Sequence, residues 1–91
     1  MDDSGQPITD VETLGKLIRQ ARKEQGLTQR EFADAAGVGV RFLSELERGK
    51  KTAEVGLVLK VLTNAGFDMV LEHRKYKSPF AHFVDEGEAV R

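Results

Sequence analysis

The most informative stretch of this sequence is residues 28–50, TQREFADAAGVGVRFLSELERGK. Thr28 and Glu31 have the spacing of a capping box, and Gly37 follows as a stop signal, which predicts a helix of about two and a half turns. A tight, glycine-containing connection then leads to residues 40–48, which predict a second short helix. Two short helices joined through a glycine form a supersecondary unit that DNA-reading proteins use.

A further helix is predicted on each side of this unit. On the N-terminal side, Thr9 and Glu12 have the spacing of another capping box, and apolar residues recur at helical spacing until Gly26. On the C-terminal side, Thr52 is the predicted N-cap of a fourth helix, which ends at Gly66. This fourth helix is predicted to be central to the core because it carries a broad apolar face, made of Val55, Leu57, Val58, Leu59, Val61 and Leu62.

The hydropathy pattern changes its period after the fourth helix. In residues 67–72, every second side chain is apolar and would lie on one side of an extended chain, which predicts a strand. A lone strand leaves its backbone groups unpaired, so we expect it to pair with the same strand of a second copy. The predicted dimerisation residues are Phe67, Met69, Val70 and Leu71.

These segments together predict an all-α fold of four main helices, with one C-terminal β-strand for dimerisation. The helical domain is expected to be flanked by segments with little order, as chain termini often are. The expected divisions are a flexible N-terminus over residues 1–8, the helical domain over 9–66, the dimerisation strand over 67–74 and a flexible tail over 75–91.

The composition is that of a small globular domain and excludes several classes of protein. Of the 91 residues, 40% are hydrophobic and 32% are charged, which argues against a disordered chain. There is no cysteine, so disulfide scaffolds, zinc ribbons and thiol nucleophiles are excluded. No apolar run approaches the ~18 residues of a membrane span, and the start of the chain lacks the pattern of a secretory signal. We therefore expect a soluble, cytoplasmic protein.

Charge is distributed unevenly along the chain, although the net charge is only −1. Residues 1–15 contain four acidic side chains and no lysine or arginine. Residues 16–51 contain nine lysines and arginines against five acidic residues, whereas residues 52–91 contain five against six. Only the middle third therefore offers phosphates a favourable field. An ordinary solvated surface is the alternative interpretation of these charges.

The central stretch resembles the helix-turn-helix signature of the Xre family, the relatives of lambdoid phage repressors. The resemblance is carried by residues 28–33, by Gly37 with Val38, and by the run LSELERGK at residues 43–50. It extends over residues 12–66. It implies a lambda-repressor-like domain that binds double-stranded operator DNA as a homodimer.

One face of the second short helix is predicted to enter the major groove of DNA. Its residues are Val40, Arg41, Ser44, Glu45 and Arg48. Arg41 suits a guanine, Val40 a thymine methyl group and Glu45 a cytosine amine, while Ser44 suits any base. Gly39 precedes this face and lacks the polar side chain that relatives carry there. We therefore expect the base contacts to be few.

Phosphate contacts are expected around this helix. Gln29 lies in the first turn of the preceding helix, where free N–H groups and the helix dipole favour an anion. The resemblance to the Xre family implies the same role for this glutamine. Arg30, Lys50 and Lys51 are predicted to flank the same surface.

Arg22 and Glu47 are expected to have a structural role. Arg22 lies near the end of the first helix, and Glu47 lies on the inner side of the second short helix. The resemblance to the repressor family implies an interhelical ion pair between them. The alternative is two independent surface charges.

No constellation in the sequence indicates catalysis, a cofactor or a metal. His73 and His82 have no second ligand at metal spacing. Ser44 has no local histidine and does not follow a strand, so hydrolase chemistry is not supported. We therefore expect a protein that is not an enzyme.

The predicted strand narrows the resemblance to HipB-type antitoxins. Such antitoxins are joined into dimers by strands, repress their own operon and bind a HipA-type serine/threonine kinase toxin, which the resemblance implies here. The apolar side chains of the tail, Tyr76, Phe80 and Phe83, are candidates for contact with a partner. A stand-alone phage-type repressor and a protein-interaction module without DNA binding are the alternatives.

Overall fold

The structure, a computed structural model, describes residues 7–73. This part of the chain contains four helices: α1 (Val11–Glu24), α2 (Gln29–Ala36), α3 (Val40–Glu47) and α4 (Val55–Ala65). The prediction of four helices is confirmed. The predicted tail over residues 75–91, and the first six residues of the predicted flexible N-terminus, lie outside the described residues.

Local sequence determines both ends of α2. Thr28 Oγ1 accepts a hydrogen bond from the Glu31 N–H (3.1 Å), and Glu31 Oε1 accepts one from the Thr28 N–H (2.9 Å), so the predicted capping box is present. At the other end, Gly37 has a φ of +77°, and the Val38 N–H donates to the Ala33 carbonyl (3.0 Å). Glycine adopts this left-handed conformation without steric cost, which allows the sharp turn towards α3.

Two of the predicted N-caps are wrong. The N-cap of α1 is Asp10 rather than Thr9, because the Asp10 carboxylate accepts a 2.7 Å hydrogen bond from the Thr13 N–H. This hydrogen bond holds the pKa of Asp10 below its ordinary value. The N-cap of α4 is Glu54 rather than Thr52, because Thr52 lies in the turn that connects α3 to α4.

The core forms where α1 and α2 both pack against α3 and α4. Burying one large aliphatic or aromatic side chain stabilises a fold by roughly 1.5–3 kcal/mol. Two of the most buried side chains belong to the inner face of α3, so the core fixes the orientation of this helix. The largest fully buried side chains are Ile18, Phe32, Leu43, Leu46 and Val61.

Only part of the predicted apolar face of α4 is buried. Val58, Val61 and Leu62 lie in the core, whereas Val55 and Leu59 are 65% and 43% exposed. A helix at the edge of a small domain buries one stripe, and these two residues lie one turn apart outside that stripe. The prediction of one broad buried face is therefore wrong for Val55 and Leu59.

The strand expected over residues 67–72 is not formed in the single chain. Residues 67–73 have no regular secondary structure, and all of them are exposed. A strand requires hydrogen-bonding partners on a neighbouring strand, and residues 7–73 contain no other strand. The four apolar side chains of this segment consequently face solvent: Phe67 (37%), Met69 (54%), Val70 (74%) and Leu71 (91%).

Candidate nucleic-acid interface

A buried ion pair joins α1 to α3. The Arg22 guanidinium donates from Nε to Glu47 Oε2 (2.7 Å) and from Nη2 to Glu47 Oε1 (3.0 Å). The two side chains are only 8% and 1% exposed, so the structure brings together the residues predicted to pair. The hydrogen bonds with Glu47 raise the pKa of Arg22 above its ordinary value. A bidentate ion pair of this kind fixes the orientation of both partners as well as their separation.

The same ion pair also holds the start of α2. Arg22 Nη1 donates to the Leu27 carbonyl (2.8 Å), and Gln29 Nε2 donates to Glu47 Oε1 (3.0 Å). One guanidinium and one carboxylate therefore connect α1, the α1–α2 loop, α2 and α3. No buried side-chain nitrogen or oxygen within residues 7–73 lacks a hydrogen-bond partner. We call Arg22, Glu47 and Gln29 the polar clamp.

Gln29 thus has a structural contact that the sequence did not suggest. Its side-chain amide is half-buried and is directed to Glu47. The predicted phosphate contact at this position now depends mainly on the backbone. The N–H groups of Gln29 and Arg30 precede the first capped N–H group of α2, that of Glu31, and are available to an anion.

Two glycines allow α1 and the end of α3 to approach closely. A Cβ atom added to Gly15 would overlap the Leu46 carbonyl oxygen and would lie 2.8 Å from that of Glu47. Gly49 has a φ of +88°, and a Cβ atom there would lie 2.9 Å from Glu12 Cα. Both positions therefore require glycine, because the nearest atoms are backbone atoms that cannot rotate away.

The outer face of α3 carries a small network of charged side chains. Glu45 accepts hydrogen bonds from Arg41 Nε (3.3 Å) and from Lys50 Nζ (3.1 Å). The Arg41 side chain is 89% exposed, whereas that of Glu45 is 25% exposed and lies closer to the helix. The bonds from Lys50 and Arg41 hold the pKa of Glu45 below its ordinary value. This outer face therefore presents the exposed guanidinium of Arg41, which is hydrogen-bonded to the less exposed carboxylate of Glu45.

The other predicted contact residues lie around this network. Arg48 Nη1 donates to Ser44 Oγ (2.9 Å) one turn back on α3. Val40 is half-buried and packs partly against the core, so it offers less surface to a base than the sequence suggested. Gly39 is the N-cap of α3, with open space around it. Exposed cations at Arg30 and Lys51 complete the predicted set.

Sequence reasoning did not identify the role of Gly15 or the contact between Gln29 and Glu47. A signal for Gly15 was present, because a glycine inside a helical pattern is costly and often marks a close packing contact. No comparable signal existed for Gln29, since its partner is 18 residues away and the contact depends on the angle between α2 and α3.

Other kinds of site are not found in the described residues. Between residues 7 and 73, no group of three or more histidine, cysteine or acidic side chains is arranged to hold a metal ion. Within the same range, no helix has the length and apolarity needed to cross a membrane.

Comparison with known proteins identifies the family of this domain. The helix-turn-helix family HTH_3 matches residues 18–66, which include the second half of α1, the α2–α3 unit and α4. The chain belongs to this helix-turn-helix family. Its resemblance to Xre-type regulators, predicted from residues 28–50, is thereby confirmed.

Two relatives match this helix-turn-helix protein over more than half of its length. The HTH-type transcriptional regulator y4mF of Sinorhizobium fredii is 55% identical over 53 residues, which are 58% of this chain and 70% of the relative. The ImmF control region 10 kDa protein of Bacillus phage phi105 is 31% identical over 80 residues, which are 88% of this chain and 84% of the phage protein. The helix-turn-helix protein is accordingly grouped with HTH-type transcriptional regulators.

The solved structures extend the likeness of fold to HipB. A chain of the HipA-HipB-O2-O3 complex superimposes with a TM-score of 0.69 and 24% identity, covering 78% of this helix-turn-helix protein and 100% of that chain. At this identity the match concerns the fold. It supports the HipB-like architecture that the sequence predicted.

Proposed function

We propose that this protein is a sequence-specific repressor that reads operator DNA with α3. The observation that carries the proposal is the outer face of α3, where Arg41 projects into solvent while the polar clamp and the core hold the helix from behind. A helix that is both rigid and exposed meets the geometric need of a major-groove reader. Arg41, Ser44 and Arg48 are the proposed base-side residues, with Glu45 beside Arg41 and with Val40 and Gly39 at the entry to the groove.

Phosphate contacts would surround this helix. The backbone N–H groups at the start of α2, where Gln29 and Arg30 lie, are suited to one phosphate. Lys50 and Lys51 follow α3 after a two-residue turn and are both exposed. In this arrangement the cations determine overall affinity, whereas α3 determines sequence preference.

We expect Arg41→Ala and Lys50→Ala to affect DNA binding in different ways. Arg41→Ala should weaken binding to the preferred duplex by about tenfold and leave binding to random duplexes nearly unchanged, because a guanidinium–guanine contact discriminates by ~1–3 kcal/mol. Lys50→Ala should weaken both and lower the salt slope by about one. Titrations of the two kinds of duplex at several salt concentrations measure both effects.

The matched control for Lys50→Ala is Lys60→Ala, which removes an exposed lysine from α4 rather than from the reading region. Its affinity for both kinds of duplex should equal that of the wild type. Equal losses on preferred and random duplexes for Arg41→Ala would exclude this arginine from base reading.

The proposed repressor is a homodimer that pairs residues 67–72 of two copies as antiparallel strands. Support comes from the exposure of Met69, Val70 and Leu71, three consecutive apolar residues that a lone chain leaves in water. Pairing around a two-fold axis would cover their backbone groups and would present two copies of α3 to a palindromic site. The exposed residues Val55 and Leu59 of α4 are the alternative dimer surface.

We expect a proline within this segment to produce monomers. Proline removes a backbone donor, and alternate N–H groups of a strand point towards the partner, so either Val70→Pro or Leu71→Pro must interrupt the pairing. Val70→Thr, which keeps the N–H and the β-branch, is the control and should remain dimeric. Sedimentation velocity at micromolar concentration distinguishes the species. Intact dimers for both proline variants would contradict strand pairing and would favour the α4 surface as the dimer interface.

A HipB-like antitoxin role is the more specific form of this proposal. Its support is the shared fold with a chain of the HipA-HipB-O2-O3 complex, together with the apolar segment that follows α4. In this role the protein represses its own operon and binds a HipA-type serine/threonine kinase toxin.

The antitoxin role is tested with the product of the adjacent gene. A pull-down sensitive to micromolar affinity should recover that product with the full chain. If the tail makes the contact, deletion of residues 76–91 should weaken recovery without changing operator affinity. If the full chain does not bind this product, the antitoxin role is excluded and only the repressor role remains.

A stand-alone phage-type repressor is the second candidate. The favouring observation is the match to the Bacillus phage phi105 protein, which covers 88% of this chain and therefore extends beyond α4. A neighbouring gene without kinase motifs would favour this candidate over the antitoxin.

A further inference from the structure

Glu45 occupies an unusual place on the outer face of α3. Both of its carboxylate oxygens are engaged by cations, Oε2 by Arg41 Nε at 3.3 Å and Oε1 by Lys50 Nζ at 3.1 Å. The side chain is 25% exposed, against 89% for Arg41 and 51% for Lys50. The carboxylate is therefore less accessible to solvent than the two cations that bind it.

We infer that Glu45 is a positioning residue that selects bases through Arg41 instead of contacting a base itself. The inference deepens the proposed function and depends on α3 being the DNA-reading helix. It differs from the expectation that Glu45 accepts a hydrogen bond from a cytosine amine.

The geometry of the arginine supports this division of roles. Glu45 engages Arg41 through Nε, and neither terminal nitrogen, Nη1 or Nη2, donates to this carboxylate. Those two nitrogens form the fork that donates to O6 and N7 of a guanine. An arginine whose stem is already held loses less side-chain entropy when the fork binds. The pair thus orients Arg41 before DNA arrives.

Lys50 gives Glu45 a second function in the same network. Lys50 follows the end of α3, and its bond to Glu45 folds the ammonium back along the outer face of the helix. A carboxylate facing DNA without partners would repel phosphates, whereas here each oxygen is paired with a cation. The local network of Arg41, Glu45 and Lys50 keeps a net positive charge.

The test is a double-mutant cycle on base preference, made with the full chain. Affinities are measured for the best-bound duplex and for each of its single base-pair variants. Arg41→Ala should lose about tenfold preference at one base pair. Glu45→Ala should lose about threefold to tenfold preference at that same base pair, and the double variant should resemble Arg41→Ala alone.

Two further variants separate this role from simpler effects. Glu24→Ala removes an equal charge from the exposed surface of α1, where the carboxylate accepts a hydrogen bond from Gln20, and should leave base preference unchanged. Glu45→Gln keeps the size of the side chain and should lose preference as Glu45→Ala does. The thermal midpoints of the Glu45 variants should stay close to that of the wild type, because exposed ion pairs contribute little stability.

Three outcomes would overturn the inference while leaving the proposed function intact. The first is loss of preference at a different base pair for Glu45→Ala, with effects that multiply in the double variant, since this would make Glu45 a base reader. The second is tighter binding with unchanged preference, which would make Glu45 an inhibitor of Arg41. The third is no effect. Absence of any preferred sequence for the wild type would instead overturn the proposed function, and this inference with it.

Discussion

Glu47→Ala should lower the free energy of unfolding by ~3–5 kcal/mol, because it leaves the buried guanidinium of Arg22 without its counter-charge. Glu47 receives three of the four hydrogen bonds in the polar clamp, two from Arg22 and one from Gln29. A small domain has a total stability of only ~5–15 kcal/mol, so this single change is expected to unfold a large part of the population. Urea denaturation followed by circular dichroism measures the loss.

The design of this experiment includes a partner variant and a control. Arg22→Ala should cost a similar amount, and the two losses should not add in the double variant, because each one removes the same ion pair. Glu24→Ala, also a glutamate-to-alanine change but on the exposed side of α1, should shift the midpoint only slightly. Small, additive losses for Arg22→Ala and Glu47→Ala would mean that the polar clamp does not hold the domain together.

Gly15→Ala is expected to be the second most damaging change, with a cost of ~1–3 kcal/mol or more. A methyl group at this position would overlap the Leu46 carbonyl oxygen, which is part of the backbone of α3. α1 would have to move away from α3, and this movement would stretch the hydrogen bonds between Arg22 and Glu47. The substitution should therefore reduce DNA affinity as well as stability, although Gly15 is buried and distant in sequence from the reading helix.

The control for Gly15→Ala is the same substitution at Gly56. Gly56 lies in the first turn of α4, and a Cβ atom there would meet only the flexible carboxylate of Glu54. Alanine is a better helix former than glycine, so Gly56→Ala should be neutral or should stabilise by up to about 1 kcal/mol. If Gly15→Ala behaved like Gly56→Ala, the close approach of α1 and α3 would not matter for stability.

The sequence predicted the helices well because their signals are local. The capping box of Thr28 and Glu31 and the stop at Gly37 depend on residues within a few positions of one another. The two wrong N-caps are also informative. Asp10 and Thr9 are both good N-cap residues, and only the entry angle of the chain decides between them.

The site was only partly predictable because its decisive contacts are not local. The pairing of Arg22 with Glu47 was implied by resemblance to a family, since nothing in the spacing of the two residues requires it. The role of Gln29 in the polar clamp depends on the angle at which α2 meets α3. The link from Glu45 to Lys50 requires the turn at Gly49, which brings Lys50 back beside α3. The pair between Arg41 and Glu45, in contrast, is an i,i+4 contact within one helix and is local.

The segment after α4 shows a different limit to what can be predicted from the sequence. Its alternating pattern predicted a strand, and residues 7–73 of one chain supply no partner for it. Within residues 67–73, only the exposure of the apolar side chains is observed. Whether these residues pair is therefore a property of the assembly and is decided by the sedimentation experiment.

In vitro selection measures whether α3 distinguishes DNA sequences. The purified full chain is incubated with a pool of randomised duplexes at physiological salt, and the bound fraction is sequenced over several rounds. We expect an enriched motif of two inverted half-sites about 10 base pairs apart. Binding to this motif should be at least about a thousandfold tighter than binding to random duplexes. A pool that stays random, with equal affinity for every duplex, would show that α3 does not read DNA sequence.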